Sequence, residues 1–242
     1  SLNLGTSWVG GVAPGASDIA LWDVGPYGNT SYTLGDDIHW YGLNVLDSVT
    51  AFSFNGSNTL TIGAGGITTA PVTSTNKSFV FNNALRLSAD QTWNIGTRNG
   101  TSGSNSFILS ATSGLDTDGY SLTLRGRGTK EFRADITGGG DIIVGPAEPG
   151  SSTTTRFVNA RASDSNITVT AANQADTSNA IVNFIVQGNI GSAARMNGLT
   201  LQGQGSSSGV AFFVDQNNTT SDTLDIITNA LTIEQGFAAV QV

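Results

Sequence analysis

The 242-residue chain contains no cysteine, so neither a disulfide nor a thiolate metal site can form. Charge is scarce as well. Asp, Glu, Lys and Arg make up 12% of the residues, too few for exposed helices laced with ion pairs. The helix formers Lys, Glu and Met are rare, and no stretch of ten residues repeats its apolar positions at helical spacing. No apolar run approaches the ~20 residues of a membrane-spanning helix, so no transmembrane segment is expected. A net charge of −8 argues against nucleic acid and anionic membrane surfaces as partners. The first residues also lack the basic region and apolar core of a secretion signal, and the chain reads as a mature or excised segment of an exported protein.

What is present is glycine (31 residues) and abundant Ser, Thr and Asn, arranged around a recurring strand-plus-glycine phrase. It runs Leu60-Thr61-Ile62-Gly63, Leu122-Thr123-Leu124-Arg125-Gly126, Leu199-Thr200-Leu201-Gln202-Gly203 and Leu231-Thr232-Ile233-Glu234-Gln235-Gly236. Looser copies start at Ile142, Ile167 and Phe184. Each alternates apolar and polar residues over a strand's length and ends where the chain can turn. One such strand cannot bury its apolar face alone, whereas a stacked series shares one core. The reading is an all-β, single-stranded β-solenoid, with tandem β-sandwiches as the alternative. At roughly 20 residues per turn the chain makes about eleven turns.

Residues 1–50 differ from the rest: they hold Trp8, Trp22, Trp40, Tyr27, Tyr32, Tyr41 and the single histidine, His39. Terminal repeats of stacked folds are atypical because they must close the core, so residues 1–50 read as an aromatic-rich N-terminal cap and 51–242 as one continuous solenoid domain. A sugar-stacking aromatic platform is the functional alternative.

The opening from Thr6 through Trp8, Gly10-Gly11-Val12-Ala13-Pro14-Gly15 and Asp18 to Trp22 resembles the start of bacterial proteins built from autotransporter-associated β-strand repeats. The similarity extends through Gly42-Leu43-Asn44-Val45, Asn58 to Ile67, and Leu85-Arg86-Leu87-Ser88-Ala89-Asp90-Gln91-Thr92-Trp93. It covers about the first hundred residues well and the remainder in style. The resemblance implies an exported, right-handed parallel β-helix on the bacterial cell surface, with no fixed active site and no cofactor. The repeated glycine-rich units of that family, and a C-terminal barrel, have no counterpart here.

Candidate chemistry is sparse, and a non-enzymatic role is expected. Asp116 and Asp118, two apart and followed by Gly119, are the one calcium candidate; the competing reading is a type I′ or II′ hairpin turn at Asp118-Gly119. Asp36, Asp37 and His39 form a second polar group, read as structural. Arg125, Arg127, Lys130 and Arg133 read as a solvated strand face, or, with Asp116 and Asp118, as a polysaccharide-lyase arrangement around Arg125. The expected function is an extracellular structural or adhesive surface module, a cell-surface adhesin or filament subunit. A polysaccharide-binding or polysaccharide-lyase β-helix is the alternative, with cell-surface or environmental polysaccharide as ligand. Alternation at Ser1-Leu2-Asn3-Leu4 and at Phe237 to Val242 suggests an open strand at each end. Leu2, Leu4, Phe237, Val240 and Val242 are therefore the expected interface for head-to-tail self-association.

Overall fold

In the computed structural model the described residues are 1–22, 30–46, 51–69, 77–96, 107–146, 152–171, 181–188, 193–203, 209–216, 225–234 and 237–241. Their only helical element is a 3-10 turn, Gly5–Ser7. Among the described residues no helix is long and apolar enough to cross a membrane. The early strands are β1 Ile19–Trp22, β2 Ser31–Thr33, β3 Ile38–Val45, β4 Phe52–Asn55, β5 Leu60–Thr69, β6 Lys77–Phe81, β7 Leu85–Leu87 and β8 Gln91–Asn94. Next come β9 Phe107–Ala111, β10 Leu115–Asp116, β11 Leu122–Arg125, β12 Thr129–Phe132, β13 Ile136–Thr137, β14 Ile142–Val144 and β15 Thr153–Val158. The last are β16 Ala162–Thr170, β17 Ile181–Gly188, β18 Ala193–Gln202, β19 Gly209–Gln216, β20 Asp225–Ile233 and β21 Phe237–Gln241.

Two sheets contain them all, and the chain passes back and forth between the sheets. The second sheet is the simpler, ordered β2-β4-β6-β9-β12-β15-β17-β19-β21. The first is ordered β13-β10-β7-β5-β8-β11-β14-β16-β18-β20, with β3 pairing both β5 and β1. Its path forks at β5, whose first half pairs β7 while its second half pairs β8. The β7-β10-β13 arm meets the other again where Ile136 N–H donates to Arg161 O, at the start of β16. Every pairing is parallel, unlike the antiparallel ladders of a β-sandwich.

Period-two alternation explains the core. Leu122, Ile142, Ile167, Leu199 and Leu231 stand in direct register, as do Trp93, Leu124, Val144, Val169, Leu201 and Ile233. All of these through Leu201 are buried, together with Leu60, Ile62, Leu85 and Leu87. Leu231 and Ile233 continue the columns yet are each 57% exposed, because no described strand lies beyond β20 to cover them. An aromatic row runs through the core in parallel: Phe132, Phe157, Phe184 and Phe212 follow one another at centroid distances of 5.0–5.6 Å.

Three sequence expectations change. Successive positions on the second sheet run Ser53, Val80, Ser110, Glu131, Arg156, Ile185 and Phe213, so every one of these steps exceeds 20 residues and the sheet has nine described strands rather than eleven. Corner turns within the first sheet use the extra residues. The Asp118-Gly119 pair does form a type I′ turn, with φ of 51° and 83° and Tyr120 N–H bonded to Thr117 O at 2.9 Å. It closes no hairpin, since β10 and β11 pair in different arms of the fork. Finally, Ser1–Leu4 is a turn and not a strand: Leu2 is buried, its N–H bonds Thr33 O, and Trp8 Nε1 donates to Leu2 O at 2.8 Å.

Trp8 lies edge-on to Trp22 at 5.2 Å and Trp40 at 5.8 Å, covering the core at the β1–β2 side. Removing Ser1 to Gly5 would withdraw both Leu2 and the anchor of Trp8. Trp8→Ala is expected to cost about 1–3 kcal/mol, read from the denaturant midpoint at unchanged m-value.

Candidate functional site

Direct register brings His39, Thr61, Arg86, Asp116 and Thr137 into one row across β3, β5, β7, β10 and β13. This row alternates with the buried leucines and so faces outward. Arg86 sits between the two candidate carboxylates, with an Nη2 to Asp118 Oδ2 distance of 2.9 Å and Nε to Asp116 Oδ2 of 3.8 Å. Asp116 Oδ1 also accepts the Asp118 N–H at 2.9 Å, which fixes the turn. Thr117 Oγ1 donates to Thr137 O and accepts from Gly140 N–H, both at 2.8 Å, tying this corner to the next.

The cluster is therefore an arginine-centred ion triad. All three side chains are close to half exposed, so the pairs contribute under about 1 kcal/mol. Among the described residues no three His, Cys, Asp or Glu side chains are grouped to hold a metal. A calcium ion would have to displace Arg86 from both aspartates. Arg86→Ala is expected to move stability by less than about 1 kcal/mol, and EDTA to leave the wild-type unfolding midpoint where it was; a calcium-dependent midpoint would reverse this assignment.

The other candidates do not converge on this cluster. Asp37 Oδ1 accepts Thr59 N–H at 2.7 Å, Asp36 Oδ1 accepts Asp37 N–H, and His39 Nε2 lies 3.0 Å from Ser88 Oγ. Arg125 registers with Asn94 on the other arm of the fork, so the arginine facing the two aspartates is Arg86. The basic run is no uniform solvated face. Lys130 is fully buried, and its ammonium donates to the carbonyls of Arg125, Gly126 and Gly128 and to Thr153 Oγ1. Glu131 is buried beside Arg133 Nε at 2.6 Å and Ser110 Oγ at 3.4 Å.

Sequence reasoning also passed over the outward polar ladders. On the second sheet Asn55 Nδ2 donates to Ser31 Oγ, Asn82 Nδ2 to Asn55 Oδ1, and Thr112 Oγ1 to Asn82 Oδ1, at 2.7–2.9 Å. On the first, Asn166 Nδ2 donates to Asp141 Oδ1, Asn197 Nδ2 to Asn166 Oδ1 and Asn229 Nδ2 to Asn197 Oδ1, at 2.9–3.0 Å. The visible signal was a small polar residue just before or after each apolar pair.

The expected assembly residues are placed unevenly. Leu2 is core, and Leu4 is 52% exposed beside the 3-10 turn. Phe237 and Val240 lie on β21, registering with Gly209 and Phe212, and Val242 lies outside the described residues. Among the described residues, exposed apolar pairs stand on two end strands of the first sheet, Leu231 and Ile233 on β20 and Ile19 and Leu21 on β1. Comparison of the chain with protein-family models, curated proteins and solved structures finds no match.

Proposed function

We propose that the protein is a non-enzymatic, extracellular β-solenoid of the bacterial cell surface, a structural or adhesive module that self-associates head to tail. The reading rests chiefly on one observation: in-register parallel stacking runs through both sheets, and polar ladders line their outward faces. Such a body presents the same Asn, Ser and Thr groups rung after rung, which suits a scaffold or a broad, weak contact surface better than a single reaction centre. A coil of either hand would carry each pass through both sheets; the right hand is part of the proposal. Sedimentation velocity over a wide concentration range tests the self-association. Mass that grows with concentration is the expected result; a monomer at every concentration removes self-assembly from the reading.

A second reading, polysaccharide binding, draws on a cleft at the β1–β2 side. Trp8, Val12, Leu21 and Tyr32 line it, and the hydroxyl-bearing Ser7, Ser31 and Thr33 adjoin it. Apolar rings beside hydroxyls suit a sugar face and its rim. Titration calorimetry with bacterial cell-wall polysaccharide, comparing wild type with Tyr32→Ala, separates this reading from the first.

A further inference from the structure

Lys130 is fully buried in a column of the second sheet that passes through Phe79 on β6 and Phe184 on β17. Around its Nζ the described residues gather four oxygens: the carbonyls of Arg125, Gly126 and Gly128 at 2.8–3.1 Å, and Thr153 Oγ1. All four are neutral acceptors. A lysine ammonium has three protons, so the oxygens outnumber the donors. Thr155, in register with Lys130 and also fully buried, has an Oγ1 with no hydrogen-bond partner among the described residues.

The carbonyls are aimed by the backbone and not by the lysine alone. Arg127 N–H and Gly128 N–H bond back to Gly96 O and Ile95 O at 3.2 and 2.7 Å, and Ile95 N–H donates to Arg125 O at 3.1 Å. Gly126 turns between them with φ of 82°. The corner is thereby tied to the rung before it, while Thr153 is carried on β15, which pairs β12 from Thr154 onward. Oxygens held by their own backbone bonds and converging in a dry place can replace the hydration shell of a cation. The neighbouring carboxylate does not take part in this cage: Glu131 Oε1 accepts from Arg133 Nε and Ser110 Oγ.

We propose that the corner at residues 125–128, closed by Thr153, is a binding site for ammonium or a small primary ammonium, which the chain fills with its own Lys130 side chain. Free ammonium has four N–H donors for the four oxygens. Calcium and magnesium suit the cage poorly, since they take six or more oxygens and favour carboxylates. The lysine stem delivers its cation at an effective concentration that a free ion does not reach, so the native site is closed to solutes. Cutting the tether opens it.

The test removes the tether and supplies the cation. Lys130→Ala is unfolded with urea in the chlorides of ammonium, methylammonium, sodium and tetramethylammonium at equal ionic strength. Ammonium and methylammonium are expected to raise its midpoint saturably, recovering roughly a third to a half of what the substitution loses. Sodium and tetramethylammonium are expected to give no such rise. Wild type and Lys130→Met, in which the side chain fills the site, are expected to respond to the four salts alike. Adding Thr153→Val to the alanine variant is expected to raise the half-saturating ammonium concentration roughly tenfold, which places the ion in this cage. An alanine variant that ammonium cannot fold, or whose midpoint is the same in all four salts, overturns the proposal. A second arm separates cation from volume. The chain has no cysteine, so Lys130→Cys carries its one thiol and is alkylated in denaturant before refolding. 2-Bromoethylamine restores an ammonium at lysine's length, whereas 1-iodopropane gives a neutral side chain of nearly the same shape. Recovery of the wild-type midpoint by the aminoethyl form alone is expected; equal recovery by the propyl form also overturns the proposal.

Discussion

Replacing Trp40 with alanine is expected to destabilise the protein by about 3–5 kcal/mol, a large fraction of the stability of an ordinary domain. Trp40 is fully buried on β3, with Trp8, Trp22 and Phe54 around it at centroid distances of 5.8–5.9 Å. Truncation removes the surface on which three aromatic rings meet, and the covering Trp8 cannot drop into the void without leaving Leu2 O. The indole N–H decides the companion variant. Trp40 Nε1 is buried with no hydrogen-bond partner among the described residues, so phenylalanine discards a group whose burial is already unfavourable. Trp40→Phe is expected to cost less than about 1.5 kcal/mol. Equilibrium urea unfolding of both variants checks the pair. An alanine variant within about 1 kcal/mol of wild type would show that the aromatic cluster does not support the core.

Much of the core was legible in the alternation. The phrase at Leu122, Leu199 and its looser copies at Ile142 and Ile167 identified two columns that stack in register, because one-residue slips would turn every apolar side chain outward. What alternation cannot show is which polar residues replace apolar ones inside. Gln91 occupies the column of Leu122, buried, its amide donating to Ile62 O and its oxygen accepting from Trp93 Nε1, both at 2.9 Å. The triad was half legible. Asp116 and Asp118 stood out as neighbours in sequence, but their partner Arg86 lies some thirty residues earlier. Finding it requires the register, and the step from rung to rung is too uneven to be inferred from one chain. Ser1–Leu4 misled for the opposite reason. Four alternating residues are as compatible with a turn that buries one leucine as with a strand, and the hydrogen bond from Leu2 N–H to Thr33 O is a tertiary contact. The exposure of Leu231 and Ile233 depends on neighbours, which no local pattern reports.

Lys130→Ala is expected to be comparably costly, about 3–5 kcal/mol from lost packing and orphaned acceptors, although the residue lies in a run that reads as surface. On β12 it registers with Thr155, and the same column passes through Phe79 and Phe184, so its side chain is in a core position. A lysine there is tolerable only because its three donors are used. The chain curls around the ammonium after β11, where Gly126 has φ of 82° and an added Cβ would lie 2.3 Å from Ile95 O. That left-handed glycine aims its own carbonyl, with those of Arg125 and Gly128, at Nζ. Removing the ammonium leaves the oxygens of Gly126 and Gly128 and the Thr153 hydroxyl to find other partners in a water-poor corner, each at about 1–3 kcal/mol if none is found. The Arg125 carbonyl is less affected, since Ile95 N–H still reaches it at 3.1 Å. Lys130→Met separates the contributions: it keeps the apolar stem and loses the donors, so it is expected to recover the packing share and remain well below wild type. Urea midpoints for both variants measure this. Full stability in the methionine variant would show that the cage needs no cation and that Lys130 serves by volume alone.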